Sequence, residues 1–322
     1  MLAKLNNDHC EHCEALAYFG GYMNHKDRLP DALRRAGFSI DTHAFRYRPD
    51  SRKDEGGVIR NYSLEEIECQ TIWHAAIGTL NDPFEVYAHS NKRELLEMSE
   101  EELFRLWSRA FAKHQIPHEN WRMASEQTLR QRYNANIFLA KAFMHSMSKQ
   151  HDFFGDFVTE LRESISIASF TEVCNSRLMW GYYCYGQGGF CLIYNKERLL
   201  KSRIELQKVN YSQKSPVVNV FDFTFNYRTA RDNEILTGIP KFKHSDWEHE
   251  SELRSLCVLR GEQIGKGTTI HLRENCIDGV IIGERVSIQT RLKLKELSKK
   301  YRFKIFSASV DLENFGINVS LG

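Results

Sequence analysis

Apolar and polar side chains alternate over His43-Ala44-Phe45-Arg46-Tyr47-Arg48, a period of two that predicts a strand ending at Pro49, with a charged loop to Gly57. Upstream, residues 1–40 read as short helices around Ala15–Phe19 and Leu29–Ala36, broken by Gly20-Gly21 and Pro30. Ser63 and Glu66 form a capping box that opens a short helix to Glu68. Thr71–Ala76 predicts a second strand, and Thr79–Glu85 a turn. The period then lengthens. Leu103, Leu106, Trp107, Ala110 and Phe111, and later Leu129, Tyr133, Ile137, Ala140 and Met144, recur at helical spacing, so residues 91–162 read as helical and these stripes as core.

From Ile165 short strands dominate: 165–170, 188–194, 204–211, 249–258, 277–282, 303–308 and 315–319, with a short helix or turn at 178–183 and a helix over 287–300. Strands with interspersed helices, but without regular βαβ alternation, predict an α+β fold with a mostly antiparallel sheet. The chain divides into an N-terminal helical extension (1–41) and a single α+β domain (42–322) carrying the helical insertion at 91–162.

Within 247–258 the predicted strand puts Glu248, Glu250, Glu252 and Arg254 on one face, with neighbours roughly 7 Å apart. Two carboxylates that close can grip one ligand and disturb each other's protonation. A charged row also protects an exposed sheet edge.

A length of 322 residues, 42% hydrophobic and 27% charged, can bury a substantial core. The formal charge of +2 confines any nucleic-acid affinity to a local patch, for which Arg291, Lys293, Lys295, Lys299, Lys300, Arg302 and Lys304, within 285–304, are the candidates. The same helix reads equally as a solvated face. No run approaches the ~20 apolar residues of a membrane span, and eight scattered cysteines fit reduced thiols, so no membrane association and a cytoplasmic location are expected.

Several chemistries are excluded by spacing. His9-Cys10-Glu11-His12-Cys13 supplies half a zinc site with no second pair of ligands downstream, so no metal is assigned. Gly261–Thr268 lacks the P-loop spacing, and Gly186-Gln187-Gly188-Gly189 precedes a strand rather than following one. Asp246 with Glu252-Leu253-Arg254 has Arg where a nuclease needs a deprotonatable Lys.

Phe45-Arg46-Tyr47-Arg48, Asn81-Asp82-Pro83-Phe84-Glu85, Ser169-Phe170-Thr171-Glu172, Leu178-Met179-Trp180-Gly181-Tyr182-Tyr183, Glu250-Ser251-Glu252-Leu253-Arg254 and Asp278–Gly283 occur in that order. The series resembles a widespread bacterial family of unknown function whose pattern reads Tyr-x-Tyr-Arg, Asn-Asp-Pro-Phe, Ser-Phe-Ser, Met-Trp-x-x-Tyr, Glu-x-Glu-Trp-Arg and Ile-x-Gly. Phe45 and Leu253 depart from it. The arrangement is also similar to ADP-ribosyltransferases, which implies a split β core with a large helical insertion and NAD as substrate. Under that resemblance Glu252 is the catalytic glutamate and Glu250 positions the acceptor. Arg46 or Arg48, with Tyr47, holds the pyrophosphate or ribose; Asn81 and Asp82 belong to the binding turn; Ser169 and Thr171 brace the site; Trp180, Tyr182 or Tyr183 stacks on nicotinamide. The implied role is a toxin of a toxin–antitoxin or phage-defence locus that modifies RNA, DNA or protein and is partnered by an antitoxin. An NAD glycohydrolase and a non-enzymatic binding or sensor module are the alternatives.

Overall fold

A computed structural model describes residues 29–51, 53–56, 58–90, 97–105, 108, 125–135, 153–218 and 238–322. The helices are α1 (Asp31–Arg35), α2 (Tyr62–Glu68), α3 (Phe153–Ser164), α4 (Arg177–Tyr183), α5 (Lys196–Lys201) and α6 (Ile288–Tyr301), with further helical turns at 100–105 and 126–135. The strands are β1 (His43–Pro49), β2 (Lys53–Glu55), β3 (Val58–Arg60), β4 (Thr71–Ala76), β5 (His89–Ser90), β6 (Ile165–Thr171), β7 (Gly189–Asn195), β8 (Gln207–Lys208), β9 (Asn210–Ser212), β10 (Val217–Val218), β11 (Phe242–His244), β12 (Glu252–Val258), β13 (Thr268–His271), β14 (Ile277–Ile282), β15 (Lys304–Asp311) and β16 (Gly316–Leu321).

Ten strands form one sheet along the path β13-β4-β6-β1-β7-β14-β15-β16, with β12 and β8 attached beside β6. All its pairings are antiparallel except β14 with β15, which α6 connects as a crossover. The expected α+β, mostly antiparallel class is therefore correct. Alternation along β1 and β7 divides the core between the two faces. Ala44, Phe190, Leu192 and Tyr194 pack under α2, α5 and α6 with Ile67, Leu199, Leu294 and Leu297. Phe45, Tyr47, Cys191 and Ile193 pack under α1 and α4 with Leu33, Met179 and Trp180.

The sheet opens at β6. Strand β12 runs along the whole of one edge, from Glu252 opposite Thr171 to Val258 opposite Ile165. Both β1 and β4 must then use the other edge, and they do so at opposite ends: Phe45 pairs with Thr171, whereas Ala75 and Ala76 pair with Ile167 and Ser166. Among the described residues no strand pairs with residues 168–170 on that edge. A wedge is left in the sheet.

Three local readings are corrected. Asn61 caps α2 by accepting from the Ser63 and Leu64 N–H groups, while the Ser63 hydroxyl turns to the Pro49 carbonyl, so the capping box is not formed. The charged loop before Gly57 folds as the β2–β3 hairpin. The strand expected over 249–258 starts only at Glu252, because Ser245–Glu250 is a 3-10 helix and Ser251 (φ 44°) makes the corner. The expected helix at 15–19 and most of the 91–162 insertion lie outside the described residues, as do His9, Cys10, His12 and Cys13.

One close approach fixes the end of the sheet nearest α4. A Cβ on Gly283 would collide with the Gln187 carbonyl and lie 2.7 Å from the Gly189 carbonyl, and both obstacles are backbone. Gly283→Ala is expected to cost about 1–3 kcal/mol in urea denaturation, as overpacking does; an unchanged midpoint would show that β7 and β14 separate freely there.

Candidate active site

The wedge holds a cleft of about 210 Å³. Its lining includes Arg46, Arg48, Trp73, Asn81, Glu85, Ser169, Thr171, Tyr183, Lys243, Glu250 and Glu252. Arg46 and Arg48 share the β1 face that packs under α2, while Ser169 and Glu252 project from the opposite face of β6 and β12. Only the missing strand between β1 and β4 lets the two sets border one space.

At the heart of the cleft is a buried ionic cluster. The Lys243 Nζ lies 2.6 Å from Glu250 Oε2, 3.0 Å from Glu252 Oε2 and 3.2 Å from Glu85 Oε1. Arg254 closes the other side, with Nε 2.9 Å from Glu252 Oε1 and a terminal nitrogen 2.6 Å from Glu85 Oε2. Three carboxylates thus share two cations. Burial pushes the Glu252 carboxyl up, but attraction by Arg254 and then Lys243, with a hydrogen bond from Ser169, outweighs it and holds the group at about 2. Burial raises Glu85, and there Arg254 and Lys243 offset only part of the effect. Lys243 is opposed by burial yet raised overall by Glu252, Glu85 and Glu250.

Backbone geometry aims these groups. The Thr171 hydroxyl donates to the Glu250 carbonyl (2.5 Å) and accepts from the Val173 N–H (2.9 Å), pinning the corner at Ser251. Parallel pairing of β9 with β11 sets Lys243 beside Tyr211, whose hydroxyl accepts from the Glu252 N–H at 2.8 Å. Tyr183 reaches in from α4 and donates to Glu250 Oε1 at 2.5 Å. Arg162 of α3 donates to the Glu85 carbonyl and so ties the 81–87 turn to the helical layer.

The sequence-predicted residues sort as follows. Glu250, Glu252, Ser169, Thr171 and Tyr183 meet in the cleft. Glu248 is exposed outside it. Arg46 borders the cleft but is already engaged: it donates to Glu66 Oε1 (2.6 Å) and across the wedge to the Trp73 carbonyl (2.9 Å), with its guanidinium over Phe170. It ties β1 to β4. Arg48, with Nε 2.8 Å from Glu66, is the more exposed of the two arginines. Asn81 is exposed on the cleft rim. Asp82 is buried and accepts from the Phe84 N–H, the work of a turn former rather than a ligand group.

One assignment is overturned. Trp180 is buried to 1% with its indole N–H on the Cys174 carbonyl, so it stacks on no ligand. Tyr47 borders the cleft, with its ring packed edge-on to Trp180 at 5.3 Å. Sequence reasoning missed Lys243 and Glu85. Glu85 closes the quoted Asn81–Glu85 motif, a signal in plain view; Lys243 lies in no motif, and nothing local marks it.

The basic segment is partly consumed by the fold. Lys293 pairs with Glu68 (2.6 Å) and Glu296 (3.2 Å), Arg291 donates to the Gly283 and Glu284 carbonyls, and Lys304 to that of Ala36. Lys295, Lys299 and Lys300 are exposed. Among the described residues no group of His, Cys, Asp and Glu could hold a metal ion, and no helix is long and apolar enough to cross a membrane.

Behind the cleft, His74 Nε2 lies 3.0 Å from the Ser255 hydroxyl, and burial, then repulsion by Arg46, lowers its pKa from 6.5 to about 4. A base with a depressed folded pKa contributes stability above its unfolded pKa and loses it on acidification. His74 therefore destabilises the fold as pH falls from 6.5 to about 4, and Glu252 takes over between 4.5 and about 2, with Glu85 acting in the opposite sense. The urea midpoint is expected to decline from pH 6.5 to 4.5, and His74→Asn to flatten that part; a wild-type midpoint constant over this range would remove the assignment.

No curated protein and no solved structure matches the chain. A family model described as a protein of unknown function (DUF2971) matches residues 179–255, the segment that carries Tyr183, Tyr211, Lys243, Glu250, Glu252 and Arg254.

Proposed function

We propose that the protein is an NAD⁺-dependent ADP-ribosyltransferase with an ADP-ribosyltransferase-like split β core. In this reading it is a cytoplasmic toxin of a toxin–antitoxin or phage-defence system, modifying nucleic acid, with RNA favoured, or protein. The observation that carries the reading is that Arg48, Ser169 and Glu252, from three separate strands, border one cleft at a break in the sheet.

In the proposed reaction the bond between the nicotinamide nitrogen and ribose C1′ breaks, nicotinamide leaves with the bonding electrons, and the ribose gains positive charge. Glu252 stays ionised throughout the physiological range and stabilises that charge while accepting a hydrogen bond from the sugar. The acceptor then bonds to C1′ and its proton passes to Glu250. Arg48 binds phosphate, a task for which the forked guanidinium suits it better than lysine. Exposed lysines of α6 would attract a polyanionic acceptor.

A second reading, a binding or sensor module without turnover, has one observation in its favour. Glu250 and Glu252 are both buried, and their oxygens are already engaged by Lys243, Arg254 and Tyr183. Incubating the protein with adenylate-labelled NAD⁺ and separate RNA, DNA and protein fractions tests the two. Label transfer supports the first, free ADP-ribose with nicotinamide release identifies a glycohydrolase, and NAD⁺ binding without either product supports the module. Arrested growth on expression, relieved by Glu252→Gln, supports the toxin role.

A further inference from the structure

A second and larger cavity, of about 630 Å³, adjoins the cleft and shares Asn81 and Lys243 with it as common walls. Its size falls within the roughly 300–1,000 Å³ usual for small-molecule sites. Four aromatic rings border it: Phe84 and Tyr87 from the turn before β5, Phe242 of β11 and Trp247 of the 3-10 helix. Phe84 is 72% exposed and Tyr87 46% exposed. Neither ring belongs to the buried core, and both line the cavity.

We infer that this cavity is a nucleobase-stacking subsite, feeding the cleft through the gap between Asn81 and Lys243. Every nucleobase has an aromatic face, so a set of exposed rings recognises the class without choosing a member. The polar groups suit the edges of a base. Asn81 carries both an amide donor and a carbonyl acceptor, and the Ser212 hydroxyl can serve as either. The charged lining is mixed: Lys214 and Lys243 face Asp82 and Asp246, with Asp82 held in its turn and Asp246 lying 3.2 Å from His244 Nδ1. The exposed Lys214 is the cation placed for a phosphate on the same nucleotide. This assignment rests on the transferase reading only for the source of the base, which is either the adenine end of the dinucleotide or a base of the acceptor strand.

Calorimetric titration of the full chain with AMP, NAD⁺ and a six-nucleotide oligoadenylate RNA tests it, comparing wild type with Phe84→Ala and Tyr87→Ala. The side chains replaced are largely outside the core, and circular dichroism checks that the variants fold. Binding is expected to weaken on the order of tenfold for each ring removed. Parallel weakening of AMP and NAD⁺ assigns the base to the dinucleotide, and weakening of the oligonucleotide alone assigns it to the acceptor. Failure of all three probes to bind wild type, or equal affinity in wild type and both variants, overturns the subsite. Ring-dependent binding in a protein that never releases nicotinamide keeps the subsite and removes the transferase.

Discussion

Replacing Lys243 with methionine is expected to lower the stability of the fold by about 3–5 kcal/mol, the loss seen when one partner of a buried ionic group is removed. The Lys243 residue is 9% exposed, and its ammonium lies within 3.2 Å of three carboxylates. Methionine fills similar volume, so a cavity contributes little. What changes is charge: Glu85, Glu250 and Glu252 would face one another with Arg254, the partner of Glu85 and Glu252, as the remaining cation. Two would have to protonate, move or draw in water. Urea denaturation measures the effect, and a second substitution diagnoses its cause. If repulsion dominates, Glu85→Gln in the Lys243→Met background restores part of the loss, although Glu85→Gln alone destabilises the protein by removing one of the two carboxylate partners of Arg254. A loss below about 1 kcal/mol would mean that the cluster is solvated and the carboxylates are not held against one another.

On the proposed transferase reading, Glu252→Gln is expected to reduce nicotinamide release and label transfer by about 10²- to 10³-fold, the range for deleting one preorganised electrostatic stabiliser. Glutamine keeps the shape and still accepts from Arg254, but it removes the fixed negative charge from the point where the sugar becomes cationic. NAD⁺ affinity is expected to change far less than turnover, since the charge matters most in the transition state. Glu250→Gln separates the two acids: loss of transfer with retained hydrolysis would place Glu250 at the acceptor, whereas equal loss of both would make it part of the same electrostatic unit. Full activity in Glu252→Gln would remove the carboxylate from the chemistry.

Much of the frame is legible in the chain because it follows from local periodicity. Strands β1, β4, β6, β7 and β14 and helix α6 announce themselves by alternation or by helical spacing, and Glu250, Glu252, Ser169 and Thr171 fall at the cleft because they sit on or beside such strands. The failures have a common physical origin. The row Glu248-x-Glu250-x-Glu252 looks like a strand, but the left-handed backbone at Ser251 ends one element and starts another, and a single conformational choice of that kind leaves no periodic trace. Trp180 seemed free to stack because a tryptophan beside two tyrosines in a glycine-interrupted segment shows no burial pattern. Its face was decided by α4 docking on β1. Lys243 was invisible for a different reason: it comes to the glutamates through the parallel pairing of β9 with β11, a contact between short strands that nothing local encodes. Sequence patterns locate elements well and long-range charge partners poorly.

The guanidinium of Arg46, reaching from β1 to the Trp73 carbonyl of β4 while anchored on Glu66, also bears on kinetics. Both strands bordering the wedge are hydrogen-bonded to one and the same strand, and this side chain bridges the gap between them as a brace. On the proposed function, ligand capture is expected to be a single diffusive encounter. Its observed rate is expected to rise in proportion to ligand concentration without reaching a plateau, as no prior opening event limits it. Shortening the brace, as in Arg46→Ala, would introduce the missing slow step.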